Sequence, residues 1–262
     1  MKVVFGVFRL FSMSYASKVF NLNMRSLAMD RRVRLSSQLD AVAYINLARR
    51  IYSYSFRKLS ELLNIPESSL CRYANMEVLP SVKVADKIIS TLRPMLDIVP
   101  VVKRLVRING SYIDLSGIIL DPNVLKLYEM HIAELFEGLK VTKVLTAAVD
   151  GIPLAVAASY ALGARLIVAK QYMEAGFDQF YSSSYIVDSP PRKVTLYVPK
   201  PLIGRGDSVI IVDDIVRTGR TVDALLDIIR QSGASLVGMS ILVAVGSDVA
   251  SRLRRAVGNI IL

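Results

Sequence analysis

The sequence predicts an α/β domain, a mostly parallel sheet flanked by helices, preceded by a small all-α domain holding a helix-turn-helix unit. Three observations carry this reading. After Ser111, β-type apolar runs alternate with helical stretches, the pattern of βαβ units whose sheet is buried on both faces. Before Gly110, apolar residues recur at helical spacing, and two short helical stretches flank a turn at Asn64 to Pro66. The charge divides at the same place. Residues 1–110 carry 18 Lys and Arg against 7 Asp and Glu, and residues 111–262 carry 15 against 15, so the whole net charge of +11 lies in the first part.

Composition bounds the chemistry. A chain of 262 residues with 53% apolar content can fill a core, and more than one domain. Cys71 and His131 are the single residues of their kinds, which excludes a disulfide framework and nearly excludes histidine-based metal sites and triads. No apolar run reaches the roughly 18 to 20 residues of a membrane span; even the one around "GIPLAVAASYALGA" is short. The chain is therefore expected to be soluble and cytoplasmic, without a membrane partner.

Residues 1–29 stand apart as an uncertain N-terminal extension. They hold Lys2, Arg9, Lys18 and Arg25 and no acid, the pattern of an amphipathic anchor or targeting segment. Arg9 interrupts the apolar stretch and argues against a signal peptide. A translation start at Met24 or Met29 is the plainer expectation, and residues 30–110 still carry 14 basic against 7 acidic residues without that segment.

Residues 30–97 read as the helix-turn-helix domain. "QLDAVAYINLARRIY" is helical from Gln38 to Tyr52. Ser55 caps a short helix through Leu63, "NIP" breaks it, and a second runs from about Glu67 to Ala74. Leu59, Leu62, Leu63, Ile65 and Leu70 are available to pack the corner, and Ser81 opens a further helix. Residues 98–110 read as a linker. In residues 111–262 the strands are "VLTAAV", "RLIVAK", "RKVTLYV", "SVIIVDD" and "SLVGMSILVAV", with helices Pro153 to Leu162 and Thr221 to Ser232 between them.

The excess positive charge makes the first part the candidate for a polyanionic partner, with a basic surface kept for solubility as the bland alternative. In the second part, "VIIVDDIVRTGRT" ends a buried strand in two carboxylates, Asp213 and Asp214. Such a pair costs desolvation energy unless something uses it; vicinal hydroxyls or a hydrated magnesium ion are suitable partners. Thr218, Gly219 and Thr221 then supply hydroxyls and open backbone before a helix N-terminus, where amide donors favour a phosphate. A ribose 5-phosphate would span both ends of this turn.

Two resemblances sharpen these readings. "FRKLSELLNIPESSLCRYANMEVLPS" resembles the lambda-repressor type of helix-turn-helix. That implies Glu67, Ser68, Ser69 and Arg72 facing the major groove of a double-stranded DNA operator, Tyr73 near the backbone, and Arg57, Lys58, Arg49 and Arg50 at phosphates. "VIIVDDIVRTGRT" is similar to the 5-phosphoribosyl-1-diphosphate signature of type I phosphoribosyltransferases. By that likeness Asp213 and Asp214 would hold the ribose hydroxyls, and Arg217, Thr218, Gly219, Arg220 and Thr221 would wrap the 5′-phosphate. "AAVDGIPLA" is similar to the family's pyrophosphate loop, with Val149, Asp150 and Gly151 at the diphosphate. Lys170 matches the lysine that closes on it, and "SSSY" ending at Tyr185 resembles a Ser-Tyr pair of the mobile loop in 6-oxopurine transferases. Magnesium is implied as the companion of the diphosphate, and a homodimer by the habit of both families. No catalytic residue and no metal site of the protein's own are assigned.

Within that family, "GSYIDLSGIILDPNVL" and "RKVTLYVPKPLIGRGDSVIIVDD" are similar to the bacterial purine-operon repressors. Those carry a winged helix, whereas a lambda-type unit before such a domain resembles archaeal regulators. The resemblance implies a transcriptional regulator sensing 5-phosphoribosyl-1-diphosphate or a related phosphorylated metabolite. The alternative is an active purine or orotate phosphoribosyltransferase with an accessory N-terminal domain. The loop Gln171 to Pro191 leans against the enzyme, since it holds Glu174, Asp178 and Asp188 but no Lys or Arg, and departing pyrophosphate needs cations; the Ser-Tyr pair at Tyr185, with Arg192 and Lys193 at the loop's far end able to swing in, argues the other way.

Overall fold

The structure is a computed structural model that describes residues 3–9, 31–110, 112–188, 190–246, 248–251 and 253. The expectation of a start at Met24 or Met29 falls on residues outside those described. The chain divides into two compact units, Ser12–Val101 and Met1–Phe11 with Val102–Leu262. The first strand, β1 (Val3–Arg9), belongs to the second unit, so part of the expected N-terminal extension is a strand.

The first unit is all helical. α1 (Arg31–Tyr52) starts seven residues before the expected Gln38. No acid stands in its first turn to favour the helix dipole. α2 (Phe56–Leu63) is capped as expected, with Ser55 Oγ accepting from the Lys58 N–H at 3.1 Å. Asn64 ends it in the left-handed region at φ 47°, and α3 (Glu67–Ala74) follows Pro66. α4 (Val82–Leu92) begins behind Ser81, whose Oγ accepts from the Val84 N–H at 3.4 Å. Leu59, Leu63, Ile65 and Leu70 are buried at the corner with Ala41, Ile45, Ala48, Ile88 and Leu92, while Leu62 is half-buried. At about 25 cal/mol per Å² of apolar surface, such a cluster is what holds two eight-residue helices that would not persist alone.

The segment read as a linker is structured. It carries α5 (Ile98–Leu105), started by Asp97 Oδ1 accepting from the Val99 N–H at 3.0 Å, and then β2 (Arg107–Asn109).

In the second unit β2 pairs with β3 (Tyr112–Asp114), and α6 (Ser116–Ile119) follows. α7 (Pro122–Leu135) is capped by Asp121, whose Oδ1 accepts from the N–H groups of Asn123 and Val124. The remaining elements are β4 (Lys143–Ala147), α8 (Ile152–Leu162), β5 (Arg165–Ala169), β6 (Phe180–Asp188), β7 (Pro191–Pro199), β8 (Ser208–Val216), α9 (Arg220–Ser232) and β9 (Ser235–Val245). The main sheet has the order β1-β9-β8-β4-β5, parallel from β9 to β5, with β1 antiparallel on β9. α9 lays Val222, Leu225, Ile228 and Ile229 against Leu145, Ile167, Val209, Ile211 and Met239 on one face. α8, backed by α7, contacts β4, β8 and β5. This is the parallel sheet flanked by helices that the alternation predicts.

Two expectations are corrected. "RKVTLYV" is not a strand of the parallel sheet: β6 and β7 form a separate antiparallel hairpin, Phe180 opposite Pro199 through Asp188 opposite Pro191. The segment Gln171 to Pro191, expected as a loop, therefore supplies a strand. Its Ser and Tyr residues alternate between exposed and half-buried positions, because only one side of the hairpin packs on α9. No described helix is long and apolar enough to cross a membrane.

Candidate functional site

The cleft arises from a parting of strands. β4 pairs with β8 from Lys143 opposite Val209 to Leu145 opposite Ile211 and then stays with β5, Ala147 opposite Ala169. β8 continues beside β9 to Val216. Asp213 and Asp214 thus lie inside β8, not at its end, and both are buried, 8% and 6% exposed. Sequence alone could not see this, because the strand's length past the acids is set by its β9 partner.

The gap opens into a cleft of about 160 Å³ lined by Ala147, Ala148, Val149, Asp150, Gln171, Tyr185, Leu196, Asp213, Asp214 and Thr221. Three of these are carboxylates. Burial, then the charge of Asp214 and that of Asp150, hold Asp213 well above the ordinary carboxylate range. Burial also raises Asp214, opposed by the Ile215 N–H and reinforced by Asp150. Gly151 lies directly beneath: a Cβ there would come within 2.6 Å of Thr146 Oγ1 and 2.8 Å of Asp213 Oδ1. The residue that opens α8 must be glycine for Asp213 to keep its position.

A second hollow of about 160 Å³ adjoins Thr221 and is lined by Ile215, Val216, Arg217, Thr218 and Gly219. Gly219 takes φ 78°, which turns the chain into α9. The first-turn amides of that thirteen-residue helix and its dipole favour an anion here. Thr221 Oγ1 donates to the Tyr185 hydroxyl at 3.2 Å, tying the hairpin to α9. Tyr185 sits opposite Val194 in β6, so the structure brings it to the cleft from a strand.

Lys170 and Arg220 stand differently. Lys170 follows β5, exchanges backbone hydrogen bonds with Tyr197, and its Nζ lies 2.9 Å from Glu174 Oε1, a bond that raises its pKa. Arg220 donates to the Ile186 carbonyl and pairs with Asp188 at 2.8 Å, which raises its pKa. Neither lines the two hollows just described. The structure therefore brings together Val149, Asp150, Tyr185, Asp213, Asp214 and Thr221 in one hollow and Arg217, Thr218, Gly219 and Thr221 in the next.

Gln171 and Leu196 also line the cleft and were not singled out from sequence. Gln171 could have been found, since it lies two residues beyond the carboxyl end of β5, where parallel sheets bind ligands. Leu196 arrives through the hairpin and has no local signal.

In the helical unit, Glu67 and Ser68 are exposed at the start of α3, Ser69 and Tyr73 are half-buried, and Arg72 is exposed. Arg72 lies 3.6 Å from Glu77, and Arg57 and Lys58 lie 3.6 and 3.9 Å from Glu61. Exposed pairs of this kind cost little to exchange for phosphate. Arg49 instead covers the Phe56 ring, 3.9 Å from its centroid.

The chain is 32% identical over 124 residues to the xanthine phosphoribosyltransferase of Heliobacterium modesticaldum, covering 47% of this chain and 66% of that protein. It is 28% identical over 134 residues to the purine biosynthesis transcriptional repressor PurR of Bacillus subtilis, covering 51% of this chain and 47% of that protein. The match thus spans between about half and two thirds of these relatives' lengths. A crystal structure of adenine phosphoribosyltransferase from Saccharomyces cerevisiae shares the fold, with a TM-score of 0.53 at 18% identity over 62% of this chain and 95% of that one. The sequence model of the phosphoribosyl transferase domain matches residues 117–256, which are 140 of the 262, and the chain belongs to that family.

Proposed function

We propose that the chain is a DNA-binding transcriptional regulator whose phosphoribosyl transferase domain senses 5-phosphoribosyl-1-diphosphate or a related phosphorylated metabolite. The observation that carries this reading is the charge around the cleft. Asp150, Asp213 and Asp214 line it without a lysine or arginine, and the cations Lys170 and Arg220 are each engaged by an acid of the 171–188 segment. A transferase must stabilise charge developing on the leaving pyrophosphate more than charge in the ground state. Here the acids oppose that charge, so ligand binding brings little rate acceleration. The helix-turn-helix unit, with Glu67, Ser68, Ser69 and Arg72 at the start of α3, supplies the output on an operator, in a homodimer that reads two half-sites.

Magnesium fits this cleft in one way. Carboxylate oxygens suit a hard cation, yet among the described residues no group of three or more His, Cys, Asp and Glu is arranged to hold one. The ion would arrive bound to the diphosphate, with Asp213, Asp214 and Asp150 facing its water ligands; it would neutralise the diphosphate there. Asp213 and Asp214 orient the ribose hydroxyls, and the loop from Arg217 to Thr221 holds the 5′-phosphate.

The second reading is an active purine or orotate phosphoribosyltransferase with an accessory N-terminal domain. The bond from Thr221 to Tyr185 favours it, because that bond brings the hairpin over the cleft as a closing element would. Incubation with each of adenine, guanine, hypoxanthine, xanthine and orotate, with magnesium and 5-phosphoribosyl-1-diphosphate, separates the two. The regulator releases negligible pyrophosphate and binds its own promoter. Turnover of about 1 per second or faster without DNA binding would promote the enzyme.

A further inference from the structure

The ligand site is polarised along its length. At one end, the Arg217 to Thr221 loop opens the thirteen-residue helix α9, where amide donors and the helix dipole favour a single phosphoryl group. At the other end, Asp150 shares the cleft with Asp213 and Asp214, two carboxylates whose burial and whose neighbour Asp150 already oppose further negative charge. Lys170, the cation that follows β5 into this region, lies 2.9 Å from Glu174, whose charge offsets part of its own. Directly after Gln171, which lines the cleft, come Tyr172 and Met173, 64% and 63% exposed. They do not line the cleft itself, but a ring and a thioether next to it in sequence are suited to a planar group that reaches its rim.

We propose that Asp150 is a specificity-determining residue that turns the cleft against a free diphosphate. The metal-free ligand is then a nucleoside 5′-monophosphate, its phosphate on the α9 loop, its diol on Asp213 and Asp214, and its uncharged base toward Gln171, Tyr172 and Met173. This rests on the reading of the site as a ribose 5-phosphate site and narrows it. A diphosphate at the ribose C1 would bring about three negative charges against Asp150; a base brings none. Asp150 is exposed at the cleft, so solvent screens part of this repulsion, yet like charges set opposite each other still disfavour the pair, and the free diphosphate should bind about tenfold more weakly. Magnesium shields those charges and closes the gap.

Calorimetric titration of the full chain tests this. Adenosine 5′-monophosphate, guanosine 5′-monophosphate and 5-phosphoribosyl-1-diphosphate are each titrated in EDTA and in magnesium, into the unaltered protein and into Asp150→Asn. The expected result in EDTA is that at least one monophosphate binds about tenfold or more tightly than the diphosphate. Asp150→Asn should shift that ratio toward the diphosphate by about tenfold. A diphosphate that binds as tightly as both monophosphates in EDTA overturns the inference and leaves the ribose 5-phosphate reading standing. So does a ratio unmoved by Asp150→Asn. Absence of binding by all three compounds, with and without magnesium, overturns the reading of the site itself. Thermal unfolding of Asp150→Asn accompanies the titrations; should the variant not fold, the ratio in the unaltered protein decides.

Discussion

Gly151→Ala isolates the geometry on which the cleft depends. Gly151 sits at φ −72° and ψ −13°, a conformation that alanine adopts freely, so the substitution adds a methyl group without backbone strain. That methyl would lie 2.6 Å from Thr146 Oγ1, 2.8 Å from Asp213 Oδ1 and 3.4 Å from the Asp213 Cα. Thr146 is fully buried and Asp213 is 8% exposed, so neither side chain can turn into solvent. Overpacking of this kind costs about 1–3 kcal/mol. If the Asp213 carboxylate yields by leaving its position, the same energy appears as lost ligand affinity, about tenfold per 1.4 kcal/mol. We expect Gly151→Ala to weaken binding of magnesium 5-phosphoribosyl-1-diphosphate by about 10- to 100-fold in calorimetric titration, with the far-ultraviolet circular dichroism retained. Gly117→Ala is the matched control: a Cβ there meets nothing within 4 Å, and affinity should not change. A Gly151→Ala protein that binds as tightly as the unaltered chain would refute the placement of Asp213 in the ligand site.

Three further outcomes follow from the same geometry. Asp213 takes up a proton more readily in the native state than in the unfolded chain, so ionising it costs native stability as pH rises from about 4, the ordinary carboxylate value, through its raised native value. Asp213→Asn should accordingly raise the Tm at pH 8, with the gain shrinking toward pH 4; a variant no more stable than the native chain at pH 8 contradicts this. Replacing Asp213 and Asp214 together with alanine should abolish ligand binding while the parallel sheet persists, as read by calorimetry beside circular dichroism; retained affinity would remove both residues from the site. On DNA, Arg72→Ala should cost about 1–3 kcal/mol on the preferred sequence and relax the preference, whereas Lys58→Ala should weaken all duplexes alike and lower the salt slope by about one; an identical effect of both variants on every duplex would argue against α3 as the reading helix.

Much of this was legible because the signals are local. Ser55, Ser81 and the Asn64 to Pro66 break are chemistry of caps and turns, and they act within four residues of themselves. The alternation of apolar runs with helical stretches likewise reports burial on both faces of a parallel sheet. What was not legible depends on partners distant in sequence. β8 runs past Asp214 because β9 continues beside it, and β6 is held as a strand by pairing with β7 along its length, its half-buried face of Tyr181, Tyr185 and Val187 being broken by Ser183. α1 begins without an acid in its first turn, and its first residues lack the apolar recurrence that marks the helix from Gln38 onward. The site residues divide the same way: Asp213, Asp214 and the Thr218 to Thr221 turn stand out in one short motif, while Leu196 enters the cleft through pairing. The acids that hold Lys170 and Arg220 were visible as a composition of the 171–191 segment, but their partners were not.

In the proposed regulator, one chain couples a phosphoribosyl ligand to DNA. By linkage, ligand and operator must change each other's affinity by the same factor, typically about 5- to 150-fold. The direct measurement is fluorescence anisotropy of a labelled duplex from the gene's own promoter, with and without magnesium 5-phosphoribosyl-1-diphosphate or adenosine 5′-monophosphate. The reverse titration of ligand into the protein–DNA complex and pyrophosphate release are followed in the same preparation. Equal factors are expected in both directions, of about fivefold or more for at least one ligand, with negligible pyrophosphate. Ligand binding that leaves DNA affinity unchanged, accompanied by turnover on any of the five bases, would contradict that coupling.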